Sequence, residues 1–222
     1  MFFRRSYSPE IMDDFSIKDD RIDSALKELK VINKYLGGNK VSRDGIALLD
    51  PGFISTSILD VGAGASDILL KLKRNGHNPG IISLDINPRA CIYTSINSPE
   101  INTICGDVRY MPVKNKVDII HASLFFHHFP EAEIIKLLSA LLNLSSRGVV
   151  INDLRRSIFA WLGIKILTSL FSKSEMVKND GPLSVKRGFI KSDLIKILDA
   201  VSPGKYVIKR KWAFRWMIVI YK

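Results

Sequence analysis

The sequence predicts an α/β fold: one seven-stranded, mostly parallel sheet whose last strand is antiparallel, with helices on both faces. Two observations lead there. From Ile58 onward, continuous apolar runs alternate with helical stretches: "SILDV", "GIISLDI", "INTICGD", "KVDIIHASLFF" and "RGVVIND". Strands that are apolar along their whole length are covered on both faces, and the helices between them supply the crossovers that parallel neighbours need. At the C-terminal end, "YVIKRKWAFRWMIVIYK" holds two β stretches with almost no chain between them, so they pair antiparallel around Ala213 to Arg215.

Taken in order, the first fifty residues read as helical. "RRSYSPEIMDD" has no clear periodicity and is expected to form a loose tail or a flap. Asp19 to Leu36 sets Ile22, Leu26, Leu29 and Leu36 on one stripe, begins with acids and stops at Gly37-Gly38. Residues 1–44 are therefore expected to be a helical extension acting as a cap, and residues 45–222 the main domain. Within the domain, "ILLKLKRNG", "PRACIYTSI" and Glu131 to Leu142 are the helices between strands. After the fifth strand comes an apolar helical insertion at about 155–188. Its helix, Ile158 to Phe171, is followed by a polar loop around Gly181-Pro182, and another helix lies near Lys191 to Ala200. The insertion helix is about 14 residues long and contains Lys165, short of the roughly 20 residues that cross a bilayer. Being apolar around most of its circumference, it should be buried, cover a hydrophobic substrate, or rest as a peripheral contact on a membrane surface.

A chain of 222 residues with 46% hydrophobic content closes one sizeable core. Cys91 and Cys105 lie in apolar contexts without CxxC spacing, which excludes a disulfide framework and suggests reduced thiols in the cytoplasm. The net charge of +11 admits nucleic acid, an anionic surface or an acidic substrate. Nucleic acid is disfavoured because no RGG, KH or RNP-like motif accompanies the scattered cations.

The stretch "ILDVGAGASD" carries the first functional signal. A strand running into Gly62-x-Gly64 brings backbone close to a ligand and opens a helix toward it. No GK[ST] follows, so a triphosphate loop is excluded. A dinucleotide loop wants glycine where this chain has Asp67, whose carboxylate would repel a pyrophosphate. Asp60 just before the glycines suits a ligand with positive charge, such as the sulfonium and ammonium of S-adenosylmethionine. Asp85 ends the next strand and can accept both hydroxyls of a ribose, and Asp107 after the third strand can accept from an adenine amino group. Three acids at successive strand ends fit a cationic nucleoside better than a dinucleotide.

With Asp60-Val-Gly-Ala-Gly64, Leu84-Asp85, Gly106-Asp107 and the run from Val117 to His128, the sequence resembles the class I S-adenosylmethionine-dependent methyltransferases, of Rossmann-like fold. It is most similar to the ubiquinone and menaquinone methyltransferase-like (type 11) branch, whose fourth strand ends in a similar Leu-His-His. Through "INDLRRS", "DGPLSVKRGF" and "EIMDD" it also resembles bacterial methyltransferases of phenolic or polyketide-type secondary metabolites. The similarity covers roughly residues 45 to 222, and Ser66 stands where the family usually has a third glycine. The resemblance implies S-adenosyl-L-methionine as cofactor and S-adenosyl-L-homocysteine as product. The cofactor contacts fall to Asp60, Gly62, Ala63 and Gly64, to Asp85 and Ile86, to Asp107 and Val108, and to Ser123.

Methyl transfer is an in-line displacement, so the protein has to align the nucleophile and, for a phenol, remove its proton. The resemblance puts His127 and His128 beside the methyl group; either acts as base, or one caps the next helix and the other packs on the adenosyl group. His121, inside the strand, is expected to be structural. A zinc site from His121, His127 and His128 is not expected, because neighbouring histidines in a strand and its loop point apart, and no other metal is expected. Asp153 at a strand end should face the substrate. Arg155 and Arg156 either clamp an acidic group or form a buried salt bridge near Asp180, and Trp161 on the insertion helix is a further substrate contact. The leading expectation is O- or C-methylation of a small hydrophobic or aromatic acceptor, phenolic, polyketide or quinone-like. The alternatives are an RNA methyltransferase, weakened by the lack of [DN]PP[FY], and a non-catalytic cofactor-binding scaffold. The partner expected is a small-molecule acceptor, and no oligomeric state is assigned.

Overall fold

The computed structural model describes residues 4–52, 57–74 and 78–222. Residues 75–76, the expected end of the helix that follows the glycine turn, lie outside the described residues. Strands β1 (Ser57–Val61), β2 (Gly80–Asp85), β3 (Asn102–Cys105), β4 (Val117–Ser123), β5 (Ser145–Leu154), β6 (Lys205–Lys211) and β7 (Arg215–Tyr221) form one sheet in the order β3-β2-β1-β4-β5-β7-β6. The pairs from β3 to β5 are parallel, and β7 runs against both of its neighbours. The chain order reverses between β1 and β4, which opens a crevice at the carboxyl ends of these strands, where ligands bind in such sheets.

Successive strand residues point to opposite faces, and here both faces are buried. Ile58, Ile119, Val150 and Val219 pack beneath α2 (Gly38–Leu49) and α3 (Asp67–Arg74), through Val41, Ile46 and Leu69. Their neighbours Leu59, Ile120, Val149 and Ile218 pack against α5 (Glu131–Leu144) and α8 (Lys191–Val201), through Leu138, Leu141, Ile197 and Leu198. The helices have local causes. In α5, Glu131 and Glu133 sit at the positive end, and Ile134, Leu137, Leu138 and Leu141 form the inward stripe. For α4 (Pro88–Asn97), Asn87 accepts from the N–H groups of Arg89 and Ala90, and Pro88 takes the position where a missing N–H costs nothing.

The helix read over Asp19 to Leu36 is α1 (Asp20–Tyr35), which stops at the glycine pair as expected; Gly37, at φ 75°, then turns the chain directly into α2. One element differs from the sequence reading. The expected polar loop is the helix α7 (Glu175–Arg187), with Pro182 inside it. Its proline removes one backbone bond, but Gly181 lets α7 lie close to Ile164 and Thr168 of α6 (Ile158–Phe171), and this packing overrides the local preference. Of the three placements open to α6, burial in the core is the one excluded: only Ala160 and Thr168 are buried, while Phe159 and Phe171 are 73% and 77% exposed. No helix of the described residues is long and apolar enough to cross a membrane.

A chain of buried polar groups ties the N-terminal helices to the sheet. Arg215 is 2% exposed. It donates to the carbonyl of Leu36 (3.0 Å), to Asn33 Oδ1 (2.9 Å) and to Asn152 Oδ1 (3.2 Å). The Asn152 amide donates to the carbonyl of Gly38 (3.0 Å) and to Ser42 Oγ (2.9 Å). Ser42 lies 2.7 Å from His121 Nε2, and His121 Nδ1 lies 2.6 Å from Asp60. Burial pulls the Arg215 guanidinium down to about 10, because its direct partners are neutral. Replacing it by Met leaves three buried acceptors without a donor. Arg215→Met should cost about 3 kcal/mol and lower Tm by roughly 10 °C in calorimetry.

Candidate active site

The turn after β1 is built by conformation and close contact. Gly62 and Gly64 have φ of 61° and 53°, in the left-handed region, as does Ser66 at 46°. A Cβ on Gly62 would stand 2.1 Å from Phe125 Cδ2, so only glycine fits beneath that ring. Asp85 braces the turn from the end of β2: its carboxylate accepts from the N–H of Gly64 (2.8 Å) and of Asn87 (2.8 Å). Burial pushes the Asp85 carboxyl above its ordinary range, against these two hydrogen bonds.

A cavity of about 250 Å³ opens over this turn and continues to the end of β4 and the segment before α1. That volume is on the scale of a small-molecule site. Gly62, Ala63, Gly64, Asp85, Ile86 and Ser123 line it, as expected of cofactor contacts by their position. Three of the residues expected there do not. Asp60 lies behind the turn, 3% exposed, accepting from Ser66 Oγ at 3.1 Å and facing His121. Asp107 caps the short turn Val108–Tyr110 and pairs with Arg109 at 2.6 Å; neither it nor Val108 reaches the cavity wall.

The other end of the cavity holds the two histidines, on the 3-10 turn Phe126–His128. Adjacent residues in an extended strand would point apart, but this tight turn sets the rings 4.3 Å apart at an angle of 33°. Each ring is held through Nδ1 by a carboxylate. His127 Nδ1 meets Asp153 at 2.7 Å, and His128 Nδ1 meets Asp13 at 2.7 Å. Asp153 is fully buried at the end of β5; it orients His127 and does not face the cavity, contrary to the sequence reading. Although burial pulls the His127 imidazole down, Asp153 and Glu10 outweigh it and raise it to about 9. His127 and its hydrogen bonds in turn hold Asp153 below the ordinary carboxylate range, against a burial effect that pushes it up. His121 is remote from this pair, in the network around Asp60.

Glu10 and Asp13 come from the segment for which the sequence showed no periodicity. The segment is held down by specific bonds. Arg5 Nε donates to the carbonyl of Arg187 (2.6 Å), and its terminal nitrogen donates to that of His127 (2.9 Å). Asp180, on α7, accepts the N–H groups of Ile11 and Met12 at 2.8 and 3.0 Å, and Arg187 pairs with Asp13 at 2.6 Å. Residues 4–13 thus form a strap across the histidines. The signal available for it was the "PEIMDD" acid cluster in a segment without apolar periodicity.

The substrate contacts expected on the insertion do not line the cavity. Arg155 stacks on Phe214, 4.9 Å from the ring centre. Arg156 is buried and binds the carbonyl of Gly188 (2.9 Å) and Asp193 (3.2 Å), a buried pair as considered but with a different acid. Trp161 lies between Lys165 and Lys186. The wall on that side comes from α7, through Val177, Asp180, Gly181 and Ser184. Among the described residues the lining contains Glu10, Asp13, Asp67, Asp85 and Asp180 and no Lys or Arg, in a chain of net charge +11.

Residues 58–148 match the family model of a methyltransferase domain. No curated protein sequence matches the chain. Among solved structures, the chain is similar to the plantazolicin methyltransferase BpumL in complex with a triazolic desmethyl analogue and SAH, with a TM-score of 0.71 at 18% identity over 94% of this chain and 92% of that one. Human N-acetylserotonin methyltransferase in complex with SAM gives 0.69 at 13% identity over 99% and 63% of the two chains. Magnesium protoporphyrin IX methyltransferase from Synechocystis PCC 6803 with bound SAM gives 0.61 at 14% identity over 97% and 100%. The fold is the one these class I methyltransferase structures share, and the stretch that matches the domain model, residues 58–148, spans its first strands and the glycine turn. Substituting Gly62 by Ala forces a side chain into a left-handed turn and against Phe125, and should cost about 2–4 kcal/mol in denaturant unfolding.

Proposed function

We propose that this class I methyltransferase domain transfers a methyl group from S-adenosyl-L-methionine to a small hydrophobic or aromatic acceptor, phenolic, polyketide or quinone-like, at oxygen or carbon. The observation that carries this reading is that one cavity runs from the glycine turn to the paired histidines and, among the described residues, is lined by acids with no Lys or Arg. Such a wall suits a cationic donor and is unfavourable for a cofactor bearing phosphates, which would find no countercharge. The donor set fits as well: the backbone of Gly62 to Gly64 has no side chain in the way, and Asp85 keeps lone pairs for ribose hydroxyls beside the two N–H groups it accepts. When bound, the cofactor supplies a methyl group on a sulfonium, which leaves as a neutral thioether.

The residues of this chain do the rest. The strap and α7 enclose the acceptor end and exclude water, Asp13 and Asp153 fix the ring orientations of His128 and His127, and the histidine pair handles the proton that an acceptor hydroxyl must lose. Residues 1–44 serve as the cap, and the insertion at 155–188 contributes through α7 more than through α6. Asp60 supports the turn from behind through Ser66.

Two measurements test this. Asp85→Ala should weaken S-adenosylhomocysteine binding about 10–100-fold in titration calorimetry, the loss expected when a charged acceptor disappears. Asp153→Asn should lower kcat by roughly 10²-fold or more while leaving that affinity unchanged, because it removes the carboxylate that orients the His127 ring and raises its basicity and does not touch the cofactor site. With tritiated methyl donor, label should appear in phenolic and lipid extracts. Label in RNA alone would overturn the acceptor class.

A further inference from the structure

The two histidines and Glu10 form a constellation that proton transfer by itself does not explain. Glu10 and His127 are 6% and 2% exposed, yet Glu10 Oε1 and His127 Nε2 are buried without any hydrogen-bond partner. They face each other at 3.6 Å, an ion pair held open beyond hydrogen-bond distance. An imidazolium and a carboxylate free to bond would close to about 2.8 Å. Two ligands of one tetrahedral ion, each about 2.1 Å from it, stand roughly 3.4 Å apart. One donor atom each of Glu10, His127 and His128 lies within 4.8 Å of the others, so a modest closure of the third ligand completes the set. With His128 Nδ1 engaged by Asp13, its Nε2 is the nitrogen left to coordinate.

The surroundings match what a metal-bound histidine needs. A ligating imidazole turns its second nitrogen to a carboxylate, which sets the tautomer and strengthens the ligand, and both rings here have such a partner in Asp153 and Asp13. Arg187 lies 3.7 Å from Glu10 Oε1, beyond hydrogen-bond distance, and spends its short contact of 2.6 Å on Asp13. A dense group of acids, with no Lys or Arg among the described residues of the cavity wall, lowers the cost of bringing in a divalent charge.

We propose that Glu10, His127 and His128 bind one divalent first-row transition ion of the zinc type, with the remaining position open to a hydroxyl oxygen of the acceptor. This rests on the methyltransferase reading and specifies its acceptor end. Two imidazoles and a carboxylate that leave one position open are a donor set of catalytic zinc sites. A hydroxyl held there is more acidic, so it passes its proton to a carboxylate of the cavity wall such as Asp180, and its oxygen lone pair forms the new bond to carbon as the carbon–sulfur bond breaks onto sulfur. The histidine pair then acts by holding the ion instead of as a free base. The strap becomes part of the site because it carries Glu10 and Asp13.

The test uses the full chain stripped with a chelator and titrated with Zn²⁺ by calorimetry and with Co²⁺ by absorption, with S-adenosylhomocysteine titrated in parallel. One equivalent of each metal should bind, Co²⁺ should show the intense bands of a tetrahedral site, and a Cys105→Ser control should bind alike. Glu10→Gln and His128→Gln should each weaken binding at least 10-fold; His128 is a quarter exposed, so its variant tests the site even if Glu10→Gln fails to fold. Asp13→Asn should weaken it to a lesser degree. Absence of saturable metal binding, or binding that both ligand variants leave unchanged, overturns the metal site; if S-adenosylhomocysteine still binds, the methyltransferase reading survives. Failure of S-adenosylhomocysteine to bind the wild-type chain overturns that reading itself.

Discussion

The cavity depends on the buried polar chain that runs from Arg215 through Asn152, Ser42 and His121 to Asp60. A guanidinium that is 2% exposed can persist only if its donors are taken up, and its partners come from the helix α1, the α1–α2 junction and β5. The same chain reaches Asp60, which holds Ser66 in the turn after β1. One network therefore fixes two things at once: where the N-terminal helices lie on the sheet, and the shape of the glycine turn. Because a half-satisfied network is costlier than an apolar core, its members act together, which makes the N-terminal segment an integral part of the domain.

Charge is distributed with equal consequence. The chain carries a net +11, yet the described cavity wall has five carboxylates and no Lys or Arg. The cations lie elsewhere, and those nearest the site, Arg5 and Arg187, are turned to backbone carbonyls and to Asp13, where they clamp the strap. Net charge is thus a poor guide to the ligand here, since an enclosed site answers to the groups that line it. The same acids that suit a cationic methyl donor also make room for a divalent ion at the histidines.

The fold was legible because its signals are local. Uninterrupted apolar runs at β1, β2, β4 and β5 mark strands buried on both faces, and the missing linker near Ala213 forces β6 and β7 to pair. The turn was legible for a similar reason: glycines at positions 62 and 64 answer a backbone need that other residues meet badly. Elsewhere local signals misled. Gly181-Pro182 reads as a loop, but packing on α6 keeps it helical; for apolar α6 the sequence left burial, a substrate cover or a surface contact open, and its outward side chains exclude the first. Trp161 was expected as a substrate contact and stacks away from the cavity, while Arg155 and Arg156 were open to a substrate clamp or a buried pair, and Arg156 takes the pair, with Asp193.

By itself, the sequence determined the succession of strands and most of the helices between them, though not α7, together with the glycine turn and the carboxylate at the end of β2, because period, composition and backbone demand act over a few residues. Only the tertiary structure decided the partners: that Asp60 serves His121 and Ser66, that Asp153 orients His127, and that Glu10 and Asp13 arrive from more than a hundred residues away to meet the histidines. The physical reason is that a buried polar atom must find its complement wherever the chain passes, and which segment passes there is set by the packing of the whole sheet and its helices.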